Sequence, residues 1–261
     1  NNLFSNYTIS VILIFIIMRI LLSNDDGFRA PGIKSLRSYL ENFANTTIVA
    51  PSKNVSACSS SLSVTKNLRV KKYDISHYSV NGTAADSVNI ATRGLLKNKI
   101  YQVISGINFG SNMGDDVVYS GTVAAAIEGR FCQYTPIAIS ITNREPEHLN
   151  DLGEKLDLFL PKFLGVKISN IILNINIPDI AFKKIKGVRI TRLGSRRVSK
   201  KAKRIFRNKA SFWQIGDAGP PFSPSAGSDF YAIRKRYISI TPISIDMTDH
   251  KIIKSLKKYE K

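Results

Sequence analysis

Histidine, cysteine and tryptophan are scarce in this chain, and each scarcity narrows the chemistry. The three histidines, His77, His148 and His250, lie far apart with no metal-ligand spacing. The two cysteines, Cys58 and Cys132, form neither a Cys-x-x-Cys pair nor a Cys/His cluster. A zinc centre is therefore not indicated, and a reducing, cytoplasmic setting fits better than a disulfide framework. Acidic residues are also few, 19 against 38 basic ones, which leaves a net charge of +19. That surplus favours anionic partners, although most of it reads as a solvated lysine-rich face. A membrane-spanning run is missing too. Residues 9–17 are nearly all apolar, but Arg19 interrupts them far short of a bilayer's thickness. They lack a basic leader and a small-residue cleavage site, so a signal peptide does not fit either. We read Met18 as the natural start, residues 1–17 as an upstream extension, and no membrane partner.

What is present is a core. The 261 residues are 43% apolar, enough for one large domain or a domain with an elaboration. Residues 20–22 form a short buried-strand run that ends in Asn24-Asp25-Asp26-Gly27, a turn composition. Ile33, Leu36, Leu40 and Phe43 then share one helix face, and 46–51 reads as a second strand. Strand, helix, strand at this spacing is a βαβ unit, which implies an α/β fold with a mainly parallel sheet. Short strands at 68–72 and 77–80 suggest a hairpin beside it. Thr83 is placed to cap a helix running through Asp86, Val88, Ile90 and Leu95. Further strands are expected at 103–105, 135–141 and 171–177, with helices at 123–128 and 149–163. After Pro178 the texture changes. No acidic residue occurs between Asp179 and Asp217, and 216–227 is rich in glycine and proline. Strands at 230–233 and 237–243 and a basic helix over 248–259 complete the chain. We divide it into an α/β core, 18–178, and a C-terminal elaboration, 179–261.

Four loops thus follow predicted parallel strands and bring Asp25 and Asp26, Ser56, Asn108 and Ser120-Gly121-Thr122 to one edge of the sheet. Ligands of open α/β sheets bind beyond the carboxyl ends of the strands. Two adjacent carboxylates there repel each other unless a cation lies between them. Carboxylates, a hydroxyl and an amide oxygen form a hard donor set suited to Mg²⁺ or Mn²⁺ rather than zinc. Ser120-Gly121-Thr122 at a helix start offers backbone N–H groups and a positive dipole end, an anion site. Metal beside phosphate is the layout of metal-assisted phosphoryl hydrolysis. Each residue also has a plainer reading. Asp25 and Asp26 suit a turn and a helix cap, Ser56 is one of several loop hydroxyls, and Asn108 suits a turn. Asp115-Asp116 reads as loop and helix-start structure that bonds Asn112.

Long stretches of the chain resemble the SurE (survival protein E) family. They are Met18-Arg19-Ile20-Leu21-Leu22-Ser23-Asn24-Asp25-Asp26-Gly27 with Ala30-Pro31-Gly32-Ile33, and Val49-Ala50-Pro51 with Asn54 and Ser56. Ser105-Gly106-Ile107-Asn108 with Gly110, Asn112 and Gly114-Asp115-Asp116 follows, leading into Tyr119-Ser120-Gly121-Thr122-Val123-Ala124-Ala125-Ala126. Leu173-Asn174-Ile175-Asn176-Ile177-Pro178 and Ile238-Ser239-Ile240-Thr241-Pro242 match later blocks. The resemblance implies a Rossmann-like three-layer core whose C-terminal hairpin and helix serve a homodimer or homotetramer. It implies one divalent ion, Mg²⁺ or Mn²⁺, held at Asp25, Asp26, Ser56 and Asn108, with Asp25 and Asp26 catalytic. Phosphate contacts are implied at Asn112, Ser120, Gly121 and Thr122. The implied activity is release of phosphate from nucleoside 5′- and 3′-monophosphates, and from short polyphosphate in some members. Phe109 and Ala84 depart from the family pattern, Phe109 at a place that bears on substrate preference. Two other classes stay open. One is a nucleic-acid-binding protein using the basic run 183–209, although no zinc finger or RNA-recognition motif accompanies it. The other is a haloacid-dehalogenase-like phosphatase, which wants Asp-x-Asp where this chain has adjacent carboxylates.

Overall fold

A computed structural model describes residues 18–56, 58–207, 210–222 and 225–260. The extension expected at 1–17 lies outside the described residues. β1 (Arg19–Ser23), β2 (Asn45–Pro51), β3 (Val70–Lys72), β4 (His77–Val80), β5 (Gln102–Phe109), β6 (Ile137–Ile141) and β7 (Ile171–Ile177) belong to one sheet. β8 (Val188–Ile190) and, after the separate ribbon β9 (Lys203–Arg207) and β10 (Ala210–Gln214), β11 (Ile238–Ser244) complete it. The order is β3-β4-β2-β1-β5-β6-β7-β11-β8. Every pairing from β4 to β7 is parallel, while β3 and β11 join antiparallel to β4 and β7. The sheet therefore does not stop at Pro178, because β11 and β8 extend it.

Side chains alternate across the strands with period two. Ile20, Leu22, Ile48, Ile104 and Ile139 face one way and pack with α1 (Pro31–Leu40) through Ile33, Leu36 and Leu40. Leu156 of α4 (Leu152–Asp157) joins the same cluster. Leu21, Val49 and Val103 face the other way, toward Val88 of α2 (Ala84–Ile90) and Ala125 of α3 (Gly121–Glu128). Helices on both faces of a parallel sheet make the three-layer α/β fold expected from the βαβ pattern. Thr83 caps α2 in a capping box, its hydroxyl accepting from the Asp86 N–H while Asp86 accepts from the Thr83 N–H.

Three expectations need correcting. The loop expected from Gly106 is strand, because β5 shifts register between Ser105 and Asn108 and resumes pairing with β6 at Ser140 and Ile141. The helix expected over 149–163 ends at Asp157. A separate 3₁₀ turn, Leu160–Lys162, follows, and Pro161 within it has no N–H to continue the α-helical ladder to Asp157. The strand expected at 230–233 is helix α5 (Asp229–Arg234), whose first turn is capped by the Ser228 hydroxyl. Its aromatic and β-branched residues suited a strand, but the cap and tertiary packing outweigh that preference. α6 (His250–Leu256) is the terminal helix expected over 248–259, followed by a short 3₁₀ turn.

The register shift in β5 depends on Gly106. Its φ is +133°, and a Cβ there would meet the Ile139 carbonyl oxygen at 2.3 Å. Gly106→Ala is expected to destabilise the protein by about 2–3 kcal/mol or more, read as a lower denaturation midpoint. A change below 0.5 kcal/mol would mean that β5 relaxes around the added methyl.

Candidate active site

The parallel strands place a crevice where the winding reverses. The chain leaves β1 for β2 and β4 on one side and returns to β5, β6 and β7 on the other. The carboxyl ends of β1 and β5 flank that switch point, the general ligand site of such sheets. Asp25 and Asp26 follow β1, and Asn108 lies at the end of β5.

Asp25 is 4% exposed, under the first turn of α3. The Thr122 hydroxyl and the Gly121 N–H donate to its carboxylate. A Cβ on Gly121 would meet the Asp25 Cβ at 2.7 Å, so only glycine permits this approach. The Asp25 carbonyl accepts from the Val55 N–H at 2.8 Å, which draws in the loop carrying Asn54 and Ser56. The Asp26 carboxylate accepts from the Phe109 N–H, next to Asn108. Asn108 donates its Nδ2 to the Gly110 carbonyl at 2.7 Å, leaving Oδ1 as an acceptor. The exposed Ser56 donates its hydroxyl to Asn54 Oδ1 at 2.6 Å. The segments carrying Asp25, Asp26, Ser56 and Asn108 thus meet at one end of the sheet.

The charges there are uncompensated. Burial raises Asp25 above the ordinary carboxylate range, opposed by the Thr122 hydroxyl, its own backbone N–H and that of Gly121. Burial, and then the neighbouring Asp25, push Asp26 up to about 6, opposed by the Phe109 N–H. Among the described residues, no ion pair with Lys, Arg or His involves either carboxylate. No three His, Cys, Asp or Glu side chains converge among the described residues either. A cation here has two carboxylates and the neutral oxygens of Asn108 and Ser56 available to it, a set that fits a hard divalent ion.

The residues expected to touch phosphate are engaged in the same framework. Ser120 caps α3, its hydroxyl accepting from the Val123 N–H at 3.1 Å. Thr122 is fully buried with its hydroxyl on Asp25, and Gly121 also serves Asp25. Asn112 is 7% exposed and donates Nδ2 to the Ser140 hydroxyl at 2.8 Å.

The Survival protein SurE family model matches residues 20–200. The chain belongs to the SurE family. It is 44% identical over 247 residues to the 5′-nucleotidase SurE of Actinobacillus succinogenes, covering 93% of this chain and 98% of that one. The 5′-nucleotidase SurE of Histophilus somni is 44% identical over 245 residues, again 93% of this chain and 98% of that one. The crystal structure of the SurE protein from Aquifex aeolicus superposes with a TM-score of 0.82 at 36% identity, covering 93% of this chain and 100% of that one.

Within this SurE-family site, sequence reasoning passed over several residues. Asn174, Asn176 and Ser140 sit fully buried on central strands and bond Asn112, and Asp229 is fully buried against Gly114. A polar residue within an otherwise apolar buried strand was the available signal. The expectation that Asp115-Asp116 bonds Asn112 is corrected. The Arg196 guanidinium holds Asp116 at 2.6–2.9 Å, and the Arg196 N–H donates to Asp115. His77 lies between Arg37 and Asp74 and hydrogen-bonds to both.

A carboxylate whose pKa rises from 3.8 to about 6 on folding binds more protons when folded. Without added cation, stability therefore falls as pH rises from about 4 to 6 and stays lower above that. Asp26→Asn is expected to flatten this fall and to stabilise the cation-free protein at pH 7.5 by about 1 kcal/mol, once partial exposure is allowed for. Chemical denaturation at pH 4.5 and 7.5 checks this, and equal pH dependence in both proteins would contradict it.

Proposed function

We propose that this chain is a 5′-nucleotidase that removes phosphate from nucleoside 5′-monophosphates with one bound divalent cation, Mg²⁺ or Mn²⁺. The observation that carries the reading is the adjacent pair of the buried Asp25 and the half-buried Asp26 at the switch point, with no Lys, Arg or His ion pair to either among the described residues and two loops of neutral oxygens beside them. The 44%-identical relatives named as 5′-nucleotidases point the same way. Asp25, Asp26, Ser56 and Asn108 hold the ion in this reading. Once bound, it supplies Lewis-acid charge to a phosphate oxygen and lowers the pKa of a water. Asp25, held by the Thr122 hydroxyl and the Gly121 N–H, orients the attacking water and takes its proton at a carboxylate oxygen. The positive end of α3, beginning at Ser120, counters negative charge that grows on the phosphate, and Asn112 contacts the phosphate beside it.

All these groups address phosphate and cation, not a particular ribose position. The reading therefore extends to nucleoside 3′-monophosphates and short polyphosphate. It extends also to a homodimer or homotetramer joined through the C-terminal part. Among the described residues, the β9–β10 ribbon pairs only with itself, and it exposes Phe206, Phe212 and Trp213. A lone two-stranded ribbon is marginal in water, and exposed aromatics suit an interface.

The test is phosphate release from 5′- and 3′-nucleotides and tripolyphosphate with Mg²⁺, Mn²⁺ or a chelator. Activity is expected to require the cation. Asp25→Asn and Asp26→Ala are each expected to lower kcat by about 100-fold or more. Full activity in the chelator, or a wild-type rate for Asp25→Asn, would refute the reading.

A further inference from the structure

Between β5 and α3 the chain crosses the catalytic end of the sheet, and one short stretch of that crossing is gripped through its backbone. Asn176 on β7 holds Asn112 at both backbone groups. Its Oδ1 accepts from the Asn112 N–H at 2.9 Å, and its Nδ2 donates to the Asn112 carbonyl at 2.9 Å. Asn174 donates its Nδ2 to the same carbonyl at 2.8 Å. The Asn112 side chain is tied in turn, by its Nδ2 to Ser140. Two residues later the C-terminal part takes over. Asp229 Oδ2 accepts from the Gly114 N–H at 2.7 Å, and its Oδ1 accepts from the N–H groups of Gly194 and Phe230 at 2.9 and 2.7 Å.

Asn174, Asn176 and Asp229 are all fully buried. Buried polar groups of this kind stabilise only when their partners are in place, and half-satisfied ones are costly. An apolar strand would have served packing alone. The side chains instead fix the position of residues 112–114, where the irregular stretch 111–113 enters the 3₁₀ turn that begins at Gly114. Phe230 closes the arrangement, its ring lying where a Cβ on Gly114 or Gly194 would go, at 2.6 and 2.5 Å.

We propose that Asn176 and Asp229 are positioning residues for phosphate recognition, clamping residues 112–114 from the sheet and from the C-terminal part so that Asn112 meets the substrate phosphate. This rests on the reading of Asn112 as a phosphate contact. The residues beyond 178 thereby complete the site. Asn176 acts through Asn112, and Asp229 through Gly114.

The test compares the full-length protein with Asn112→Ala, Asn176→Asp, Asp229→Asn and Ser140→Ala, measuring KM and kcat for a nucleoside 5′-monophosphate. Asn176→Asp keeps the acceptor for the Asn112 N–H and loses the donor to its carbonyl. Asp229→Asn keeps the shape and loses one acceptor. Each is expected to raise KM about tenfold with a smaller change in kcat, while thermal stabilisation by Mn²⁺ alone stays at the wild-type value. Ser140→Ala, the smallest change, is expected to raise KM in the same direction and covers the case in which a clamp variant fails to fold. If Asn112→Ala leaves KM unchanged, the reading of Asn112 is wrong. If Asn112→Ala raises KM while the folded clamp variants keep wild-type KM and lose only melting temperature, the clamp is merely structural and the proposal falls.

Discussion

One contact sets the geometry of this molecule: the first turn of α3 lies directly on the Asp25 carboxylate. That approach demands glycine at 121 and gives the Thr122 hydroxyl its partner. It also demands a helix that can come close to the sheet. α3 continues as Val123-Ala124-Ala125-Ala126, all nearly inaccessible, and a Cβ on Gly129 beyond it would meet Val103 at 2.5 Å. Small side chains let the axis sink toward β5 and β6, and the sunken axis carries its N-terminus onto Asp25. A helix with leucines on that face would stand farther off, and Asp25 would be left buried without its donors, which is costly for a charge.

The other loops are set by backbone bonds in the same way. Asn24 closes its own turn, donating Nδ2 to the Gly27 carbonyl and accepting from the Gly27 N–H at 3.0 and 3.1 Å. The Phe28 N–H reaches the Pro51 carbonyl, and the Val55 N–H reaches that of Asp25. These protein–protein hydrogen bonds tie the first two loops together. A site assembled this way pays little to reorganise when its occupants arrive, which is what catalysis by positioning requires. What remains unsatisfied is electrostatic: two carboxylates, both pushed above their ordinary range chiefly by burial.

The parts legible in the sequence were those with local causes. Strand, helix and strand followed from periodicity, the α2 cap from Thr83 and Asp86, and the carboxylate pair from its place after a buried strand. Much of the rest depended on partners distant in sequence. β11 was foreseen as a strand, but its antiparallel place beside β7 is a tertiary choice. The α5 residues Phe230, Tyr231 and Ile233 suit a strand, and helix forms because Ser228 caps it and Asp229 finds Gly114 and Gly194. Arg196 and Asp116 are 80 residues apart, and no local signal ties one to the other. Thr122 was visible at a helix start, but the helix's approach to Asp25, which occupies its hydroxyl, was not.

Net charge and site charge have opposite signs here, and range separates their effects. The chain carries +19, with no acidic residue from 180 to 216, while the crevice holds adjacent carboxylates. Screening limits exposed charges to about 8 Å at physiological salt, so the surface cations raise the local concentration of an anion without reaching the chemistry. Within the crevice the balance reverses, because a phosphate dianion brought beside Asp25 and Asp26 meets like charge in partly desolvated surroundings. In the proposed function, a cation between the phosphate and the pair would reconcile attraction outside with repulsion inside. The basic surface would oppose entry of that cation, so the local attraction of the buried Asp25 and half-buried Asp26 would have to exceed the repulsion of the screened surface. Burial supplies the difference, since charges in the crevice interact through a lower effective dielectric than those on the surface.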